Sequence, residues 1–298
     1  MRYYKYLWIV LLALSIKFWI FKPYIIHSDS MASTLNKGDY IIMNTWEKSL
    51  FGNKKTFKKN DIIALRYPLD SGMIKEKSVC VKRCIGMPGE WIKIDADKNI
   101  ELAKLQYDYI IEDPMNIIDQ HQLLKIGVKN IRKTGDNWTL SLDNLQKNKL
   151  QKLNSKLKIS KLLQKKKHFN PSIFPSDPSL PWNQDFFGPL YVPKSGDSIL
   201  LNTRNISLYK KIIVDYENHH LEYSTDFYKI DGNILTHYIF DKDYFFVAGD
   251  NRHHSFDSRH WGFIPEDHII SSVAIKIINM DKIKIKEYFK SFKEWIRN

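Results

Sequence analysis

Three short stretches hold residue types that could act together in nucleophilic catalysis: Ser28-Asp29-Ser30-Met31-Ala32-Ser33-Thr34-Leu35, Val81 to Gly89, and Ala248 to Gly262. A serine hydroxyl becomes a nucleophile only beside a base that is neutral near pH 7. Lysine is normally charged there, but an apolar burial site disfavours the ammonium and lowers its pKa by several units. Lys82 lies in Ser78 to Ile85, which reads as an apolar strand. Strand alternation places Cys80, Lys82 and Cys84 on one face and turns Arg83 to the other, so the amine has uncharged neighbours. Ser30 and Lys82 are thus a candidate nucleophile and base. Each stretch alone also has an ordinary reading: a serine-rich loop, a surface lysine, and a hairpin loop with Gly-Asp-Asn turn chemistry. The order of the three carries the weight.

These residues need a scaffold, and after Pro23 the chain reads as mostly β. Short apolar runs at 40–43, 62–65, 78–85, 91–94, 189–192, 198–201 and 244–247 are predicted strands; Gly38-Asp39 and Asn60-Asp61 are turn pairs ahead of the first two. Before Pro23, Arg2 and Lys5 precede an apolar run from Tyr6, interrupted at Lys17 and resuming to Phe21. Sixteen residues would span about 24 Å, against a hydrocarbon core of about 30 Å. Lys17 could snorkel, and Trp19 and Tyr24 suit a membrane boundary. The run is read as an uncleaved transmembrane anchor in preference to a cleaved signal peptide or a buried helix, because Ala13-Leu14-Ser15 lies inside the apolar run. The basic N-terminus then stays cytoplasmic and the remainder faces outward. Ser30 follows Phe21 by nine residues, keeping it within about 30 Å of the bilayer.

The middle differs. Residues 147–167 contain nine lysines, with Leu150, Leu153 and Leu157 at helical spacing, which predicts a basic amphipathic helix or a mobile insertion. Pro171, Pro175, Pro178 and Pro181 predict extended or looped chain. Ile285, Phe289, Phe292 and Ile296 fall on one helical face, interfacial or capping the core. The expected organisation is a cytoplasmic tail and anchor (1–22), a β-rich catalytic domain (23–100 and 182–280), an inserted lysine-rich region (101–181) and a C-terminal amphipathic segment (281–298).

The three stretches together resemble the bacterial type I signal peptidases (leader peptidases, serine/lysine peptidase family S26). Their boxes are Ser-x-Ser-Met-x-Pro-Thr-Leu, Lys-Arg-x-x-Gly-x-Pro-Gly and Gly-Asp-Asn-Arg-x-x-Ser-x-Asp-Ser-Arg, and Gly249, Asp250, Asn251, Arg252, Ser255, Asp257, Ser258 and Arg259 all fit the third. The resemblance implies a β-rich signal-peptidase domain behind a single-pass anchor in the bacterial inner membrane. It implies removal of signal peptides from exported preproteins by acyl-enzyme hydrolysis after a small-x-small site. Ser30 would be nucleophile and Lys82 base; the Ser30 N–H and Ser28 hydroxyl would form the oxyanion hole. Ser255 would orient the lysine, Asp257 and Arg259 would pair to hold the loop, and Gly249, Asp250 and Asn251 would support it. Tyr24, Ile26 and Val81 match positions lining substrate pockets. No cofactor or metal is expected, and the expected partners are signal peptides and the lipid bilayer, not nucleic acid, with the chain monomeric. Ser33 departs from the usual proline, His253 from a commonly acidic residue, and Asn60 from the usual glycine.

Other classes fit less well. The net charge of +13 would suit a membrane-tethered basic scaffold binding anionic lipid or nucleic acid. Lysine far outnumbers arginine, though, and arginine is the better bidentate phosphate reader. A self-cleaving repressor shares the Ser/Lys chemistry but would need a DNA-binding domain. A metal hydrolase would have to use His219, His220, His253, His254 or His260, and neighbouring strand residues point to opposite faces. Cys80 and Cys84, four residues apart on one strand, would be about 13 Å apart, beyond disulfide reach of about 7 Å.

Overall fold

The computed structural model describes residues 21–44, 57–98, 104–113, 115, 117–224 and 227–277. The expected C-terminal segment and, except for its last two residues, the expected anchor lie outside these. Among the described residues no helix is long and apolar enough to cross a membrane.

The described chain is mostly β with few helices. β1 (Phe21–Ile25), β2 (Tyr40–Asn44), β3 (Ile62–Arg66), β4 (Val79–Gly86) and β5 (Trp91–Asp95) come first. Next are β6 (Tyr107–Glu112), α1 (Gln120–Lys125), β7 (Ile131–Thr134), β8 (Asn137–Leu142), α2 (Asn144–Leu153) and β9 (Lys158–Lys161). β10 (Phe186–Tyr191), β11 (Ser198–Leu200) and α3 (Ile206–Lys211) follow. Short strands β12 (Leu221–Tyr223), β13 (Tyr228–Ile230), β14 (Asn233–Ile234) and β15 (His237–Ile239) lead to β16 (Tyr244–Ala248). α4 (Ser258–Trp261), β17 (Ile264–Pro265) and β18 (Ile269–Ile277) complete the described chain.

A seven-stranded sheet ordered β1-β2-β18-β3-β4-β16-β17 positions the site. β4 lies between β3 and β16, both antiparallel to it, with Lys82 opposite Ile63 and Arg83 opposite Ala248. Lys82 therefore sits on an interior strand whose backbone is held from both sides. Two apolar clusters flank β4. Ile63, Leu65, Cys84, Val247, Trp261 and Ile269 belong to one; Ile26, Met31, Leu35, Ile41, Ala64 and Val81 belong to the other. A third, larger cluster joins β5, β10 and β16 to α3 and includes Ile173, Phe174 and Trp182 from the proline-rich stretch. That stretch is irregular as expected, but its apolar side chains are part of the main body.

The lysine-rich middle is neither one basic helix nor a loose insertion. It belongs to a module with its own sheet, ordered β7-β8-β6-β9, and its own core of Tyr107, Tyr109, Ile111, Leu123, Trp138, Leu140, Leu142, Leu150 and Leu157. α2 begins at an Asp143/Gln146 capping box, which satisfies N-terminal amides. It ends at Asn154, whose backbone is extended. Leu157 then turns into the module core, and Lys158–Lys161 becomes an edge strand paired with β6. Leu150 and Leu157 are seven apart, but the chain between them is broken; the helical spacing reflected burial in one core, not one helix.

Candidate active site

Lys82 Nζ lies 2.6 Å from Ser30 Oγ, and both residues are buried, at 5% and 7% exposure. Burial is the largest influence on the Lys82 amine and lowers its pKa; Cys80 and Asp257 oppose that shift. A neutral amine accepts the hydroxyl proton, so burial favours the protonation state a base needs. Ser28 Oγ is 3.2 Å from Ser30 Oγ. Tyr24, Ile26 and Val81 meet in the apolar cluster that also contains Met31, and the Tyr24 hydroxyl donates to the Val79 carbonyl at 2.9 Å.

The loop bearing Ser30 is held by residues far away in sequence. The Asn251 amide donates to the Ser30 carbonyl at 3.0 Å, and Asn251 Nδ2 donates to the Asp29 carbonyl at 3.1 Å. Asp250 accepts two hydrogen bonds from Arg83, at 2.7 and 2.5 Å, and one from the Thr34 hydroxyl at 2.5 Å. One carboxylate thus ties together all three chemistry-bearing stretches. Gly249 is needed for its size: a Cβ there would collide with Ser255 Oγ and the Ser30 carbonyl.

Asp257 and Arg259 form a fully buried pair, with Arg259 Nε and Nη2 each donating to the carboxylate at 2.8 Å. Burial alone would raise the Asp257 pKa, but the Arg259 charge and hydrogen bonds hold it well below the usual carboxylate range. Asp257 also accepts from the Gly249 amide, and Arg259 donates to the carbonyls of Gln184 and Arg252. Ser255 Oγ is buried against Gly249 but forms no hydrogen bond to Lys82 in this geometry. Its influence falls on Asp257, whose ionised form it favours.

Sequence reasoning missed the contribution of the inserted module. Gln106 makes a parallel bridge with Asn251, its amide donating to the Asp250 carbonyl and its own carbonyl accepting from Arg252 N, both at 2.8 Å. Ser33 Oγ donates to Asp143 Oδ2 at 2.5 Å. His253 lies between Asp185, at 2.9 Å, and Asp108, at 3.5 Å. Burial would lower the His253 pKa, but hydrogen bonds to the two carboxylates push it up to about 9. None of Gln106, Asp108, Asp143 or Asp185 belongs to a recognisable motif, whereas Ser33 and His253 were visible as departures. Ser33 has φ of 74°, a value that proline, locked near about −65°, does not adopt.

Of the other histidines, His254 meets Asp108 at 3.1 Å and His260 Nδ1 accepts from the Asp257 amide at 3.4 Å. Glu217, His219 and Asp241 offer ligand atoms within 4.8 Å of one another. Glu217, however, already accepts from the Tyr238 and Tyr244 hydroxyls and two backbone amides. Cys80 and Cys84 are both free thiols.

A sequence model of the family described as "Signal peptidase, peptidase S26" matches residues 1–154 and 192–278. The chain is 28% identical over 275 residues to Signal peptidase I of Buchnera aphidicola subsp. Baizongia pistaciae (strain Bp), covering 89% of this chain and 72% of that protein. To Signal peptidase I of Buchnera aphidicola subsp. Schizaphis graminum (strain Sg) it is 27% identical over 267 residues, with 87% and 68% covered. To Signal peptidase I of Haemophilus influenzae (strain ATCC 51907 / DSM 11121 / KW20 / Rd) it is 24% identical over 270 residues, with 90% and 66% covered.

Proposed function

Because this chain belongs to the signal peptidase family, peptidase S26, we propose that it is a membrane-bound endopeptidase that removes signal peptides from exported preproteins by Ser30/Lys82 acyl transfer. The 2.6 Å contact between a buried Lys82 amine and Ser30 Oγ carries this reading. Lys82, whose burial favours the neutral amine, takes the Ser30 proton as Oγ attacks the scissile carbonyl. The developing oxyanion is met by the Ser30 N–H and the Ser28 hydroxyl. Lys82 then returns its proton to the leaving amine, and a water, deprotonated by the same lysine, hydrolyses the ester.

Tyr24, Ile26 and Val81, which share one apolar cluster, form the wall for the residues before the scissile bond. The apolar run ahead of Phe21 tethers the site close to the outer face of the bacterial inner membrane, at the height where a membrane-held signal peptide ends. Ser255, Asp257, Arg259, Gly249, Asp250 and Asn251 keep the nucleophile and base in register.

The test is cleavage of a preprotein carrying an Ala-x-Ala site, comparing wild type with Ser30→Ala and Lys82→Ala. Both variants should lose processing. Undiminished cleavage by either would overturn the dyad, and dependence of wild-type cleavage on the apolar run would support the tether.

A further inference from the structure

Between the loop that follows β3 and the segment that follows α3 there is a cleft of about 470 Å³, within the roughly 300–1,000 Å³ typical of small-molecule sites. It is separate from the site described above: none of Ser28, Ser30, Lys82 or the 249–259 loop lines it. Its charged lining consists of three lysines, Lys77, Lys211 and Lys242, against two carboxylates, Asp215 and Asp267, which leaves it net positive. Leu69 and Ile74 supply apolar wall.

One lysine is matched within the cleft. Lys242 Nζ meets Asp267 at 3.0 Å and donates to the Tyr216 carbonyl at 2.8 Å, and Asp267 is also engaged by His268 Nδ1 at 2.7 Å. Lys77 and Lys211 are different. Among the described residues neither belongs to an ion pair. Lys77 Nζ donates to the Pro68 carbonyl at 3.4 Å, and Lys211 Nζ donates to the Trp261 carbonyl at 3.1 Å. An ammonium carries three N–H groups, so each is steadied by a backbone carbonyl and keeps donors for a ligand. Both side chains are partly buried, whereas Asp215 is exposed. Burial lowers the Lys211 pKa; Asp215 opposes that shift and Lys77 adds to it. The two cations thus repel each other where water screens them less than in bulk, and an anion between them would remove that conflict.

We propose that this cleft binds a phosphate group between Lys77 and Lys211, with the group that carries the phosphate lying against Leu69 and Ile74. A phosphoryl group offers three strong acceptor oxygens, enough to take donors from both ammoniums at once, and lysine binds it as a point charge. Free phosphate would leave much of the cleft unfilled, so the site suits a phosphate borne on a larger group, either a soluble phosphate ester or a lipid head group. The loop beside it carries apolar surface for such a group, with Leu69 at 50% and Met73 at 69% exposure.

The test measures how fast an amine-acylating reagent modifies Lys77 and Lys211, read by peptide mass spectrometry on the full chain in detergent micelles at constant ionic strength. The probes are inorganic phosphate, glycerol 3-phosphate and phosphatidic acid incorporated into the micelles, with acetate for comparison; no readout requires peptidase activity. At least one phosphate probe should slow labelling of both lysines about fivefold in a saturable way and leave the exposed neighbour Lys210 unchanged. Protection at the lowest dose by phosphatidic acid assigns the site to a lipid head group, and by glycerol 3-phosphate to a soluble ester. Lys211→Met should raise the concentration that half-protects Lys77 about tenfold, Lys77→Met should do the same for Lys211, and Lys211→Arg should keep protection of Lys77. Absence of protection by all three phosphate probes overturns the site, as does protection that extends to Lys210. Equal protection by acetate overturns the phosphate assignment, and protection of Lys77 that is unchanged in Lys211→Met overturns the pairing of the two lysines.

Discussion

Arg83 and Asp250, 167 residues apart in sequence, are joined by two hydrogen bonds at 2.7 and 2.5 Å, with the Asp250 side chain 1% exposed and that of Arg83 12% exposed. The pair fastens the strand bearing Lys82 to the loop whose Asn251 amide holds the Ser30 carbonyl. Removing one partner of a buried pair costs about 3–5 kcal/mol because the other charge is stranded. Asp250→Ala should therefore lose stability on that scale in a denaturant titration. Arg83→Lys, which cannot donate bidentately, should retain the fold better but lower kcat.

Lys82 has a pKa lowered by burial, so its effects on rate and stability both run with pH. The rate should fall on the acid side as the amine protonates, at a pH well below the free-lysine value of about 10.4. For stability, the unfolded state binds more protons than the folded state between the lowered folded pKa and about 10.4, so stability rises with pH across that window. Lys82→Met should therefore stabilise the inactive protein near neutral pH, and the gain in Tm should vanish above about pH 10.5.

Gly249 and Ser33 make opposite demands on the backbone around the nucleophile. Gly249→Ala inserts a methyl between Ser255 Oγ and the Ser30 carbonyl. It should reduce kcat by about a hundredfold, the cost associated with displacing reacting groups by about 1 Å. Ser33→Pro restores the family's usual residue but requires a φ far from 74°. It should lower both activity and Tm, while Ser33→Gly keeps the backbone and loses only the bond to Asp143.

His253 couples the module to the 249–259 loop with a pKa pushed up to about 9. A raised folded pKa gives stabilisation that is complete below the unfolded value of about 6.5 and is lost as pH rises through about 9. His253→Asn should destabilise clearly at pH 6 and little at pH 10, by at most about 3 kcal/mol at the acid end. Thermal melts of the two proteins across that range measure it; a pH-independent difference would rule out the two-carboxylate clamp.

Burial pushes the Cys80 thiol up to about 11 and the Cys84 thiol up to about 12. At pH 8 roughly one thiol in a thousand or fewer is ionised, so alkylation is slow. Intact mass after iodoacetamide treatment of the native protein should show both thiols largely unmodified, and both should react once the protein is unfolded. Rapid native labelling of Cys80 would mean that the Lys82 environment is open to water.

The sequence by itself determined the β-rich body and the three chemistry-bearing stretches. The strands predicted at 40–43, 62–65, 91–94 and 244–247 fall inside those observed, because short apolar runs bounded by turn residues signal strands locally. Alternation along β4 likewise put Lys82 on an uncharged face away from Arg83, and Lys82 is buried while Arg83 is only partly so. The tertiary structure alone decided the partners. Asp250 for Arg83 and Thr34, Asp143 for Ser33, and Asp108 and Asp185 for His253 are long-range pairings. Nothing in local spacing encodes them. The lysine-rich middle was misread for the same physical reason: Leu150 and Leu157 enter one core while Leu153 between them is exposed, and a capped helix followed by a sheet edge satisfies that burial as well as a single long helix does. The serine and lysine could be named from the chain; the 2.6 Å between them exists because an interior strand, a buried ion pair and a folded insertion converge on one loop.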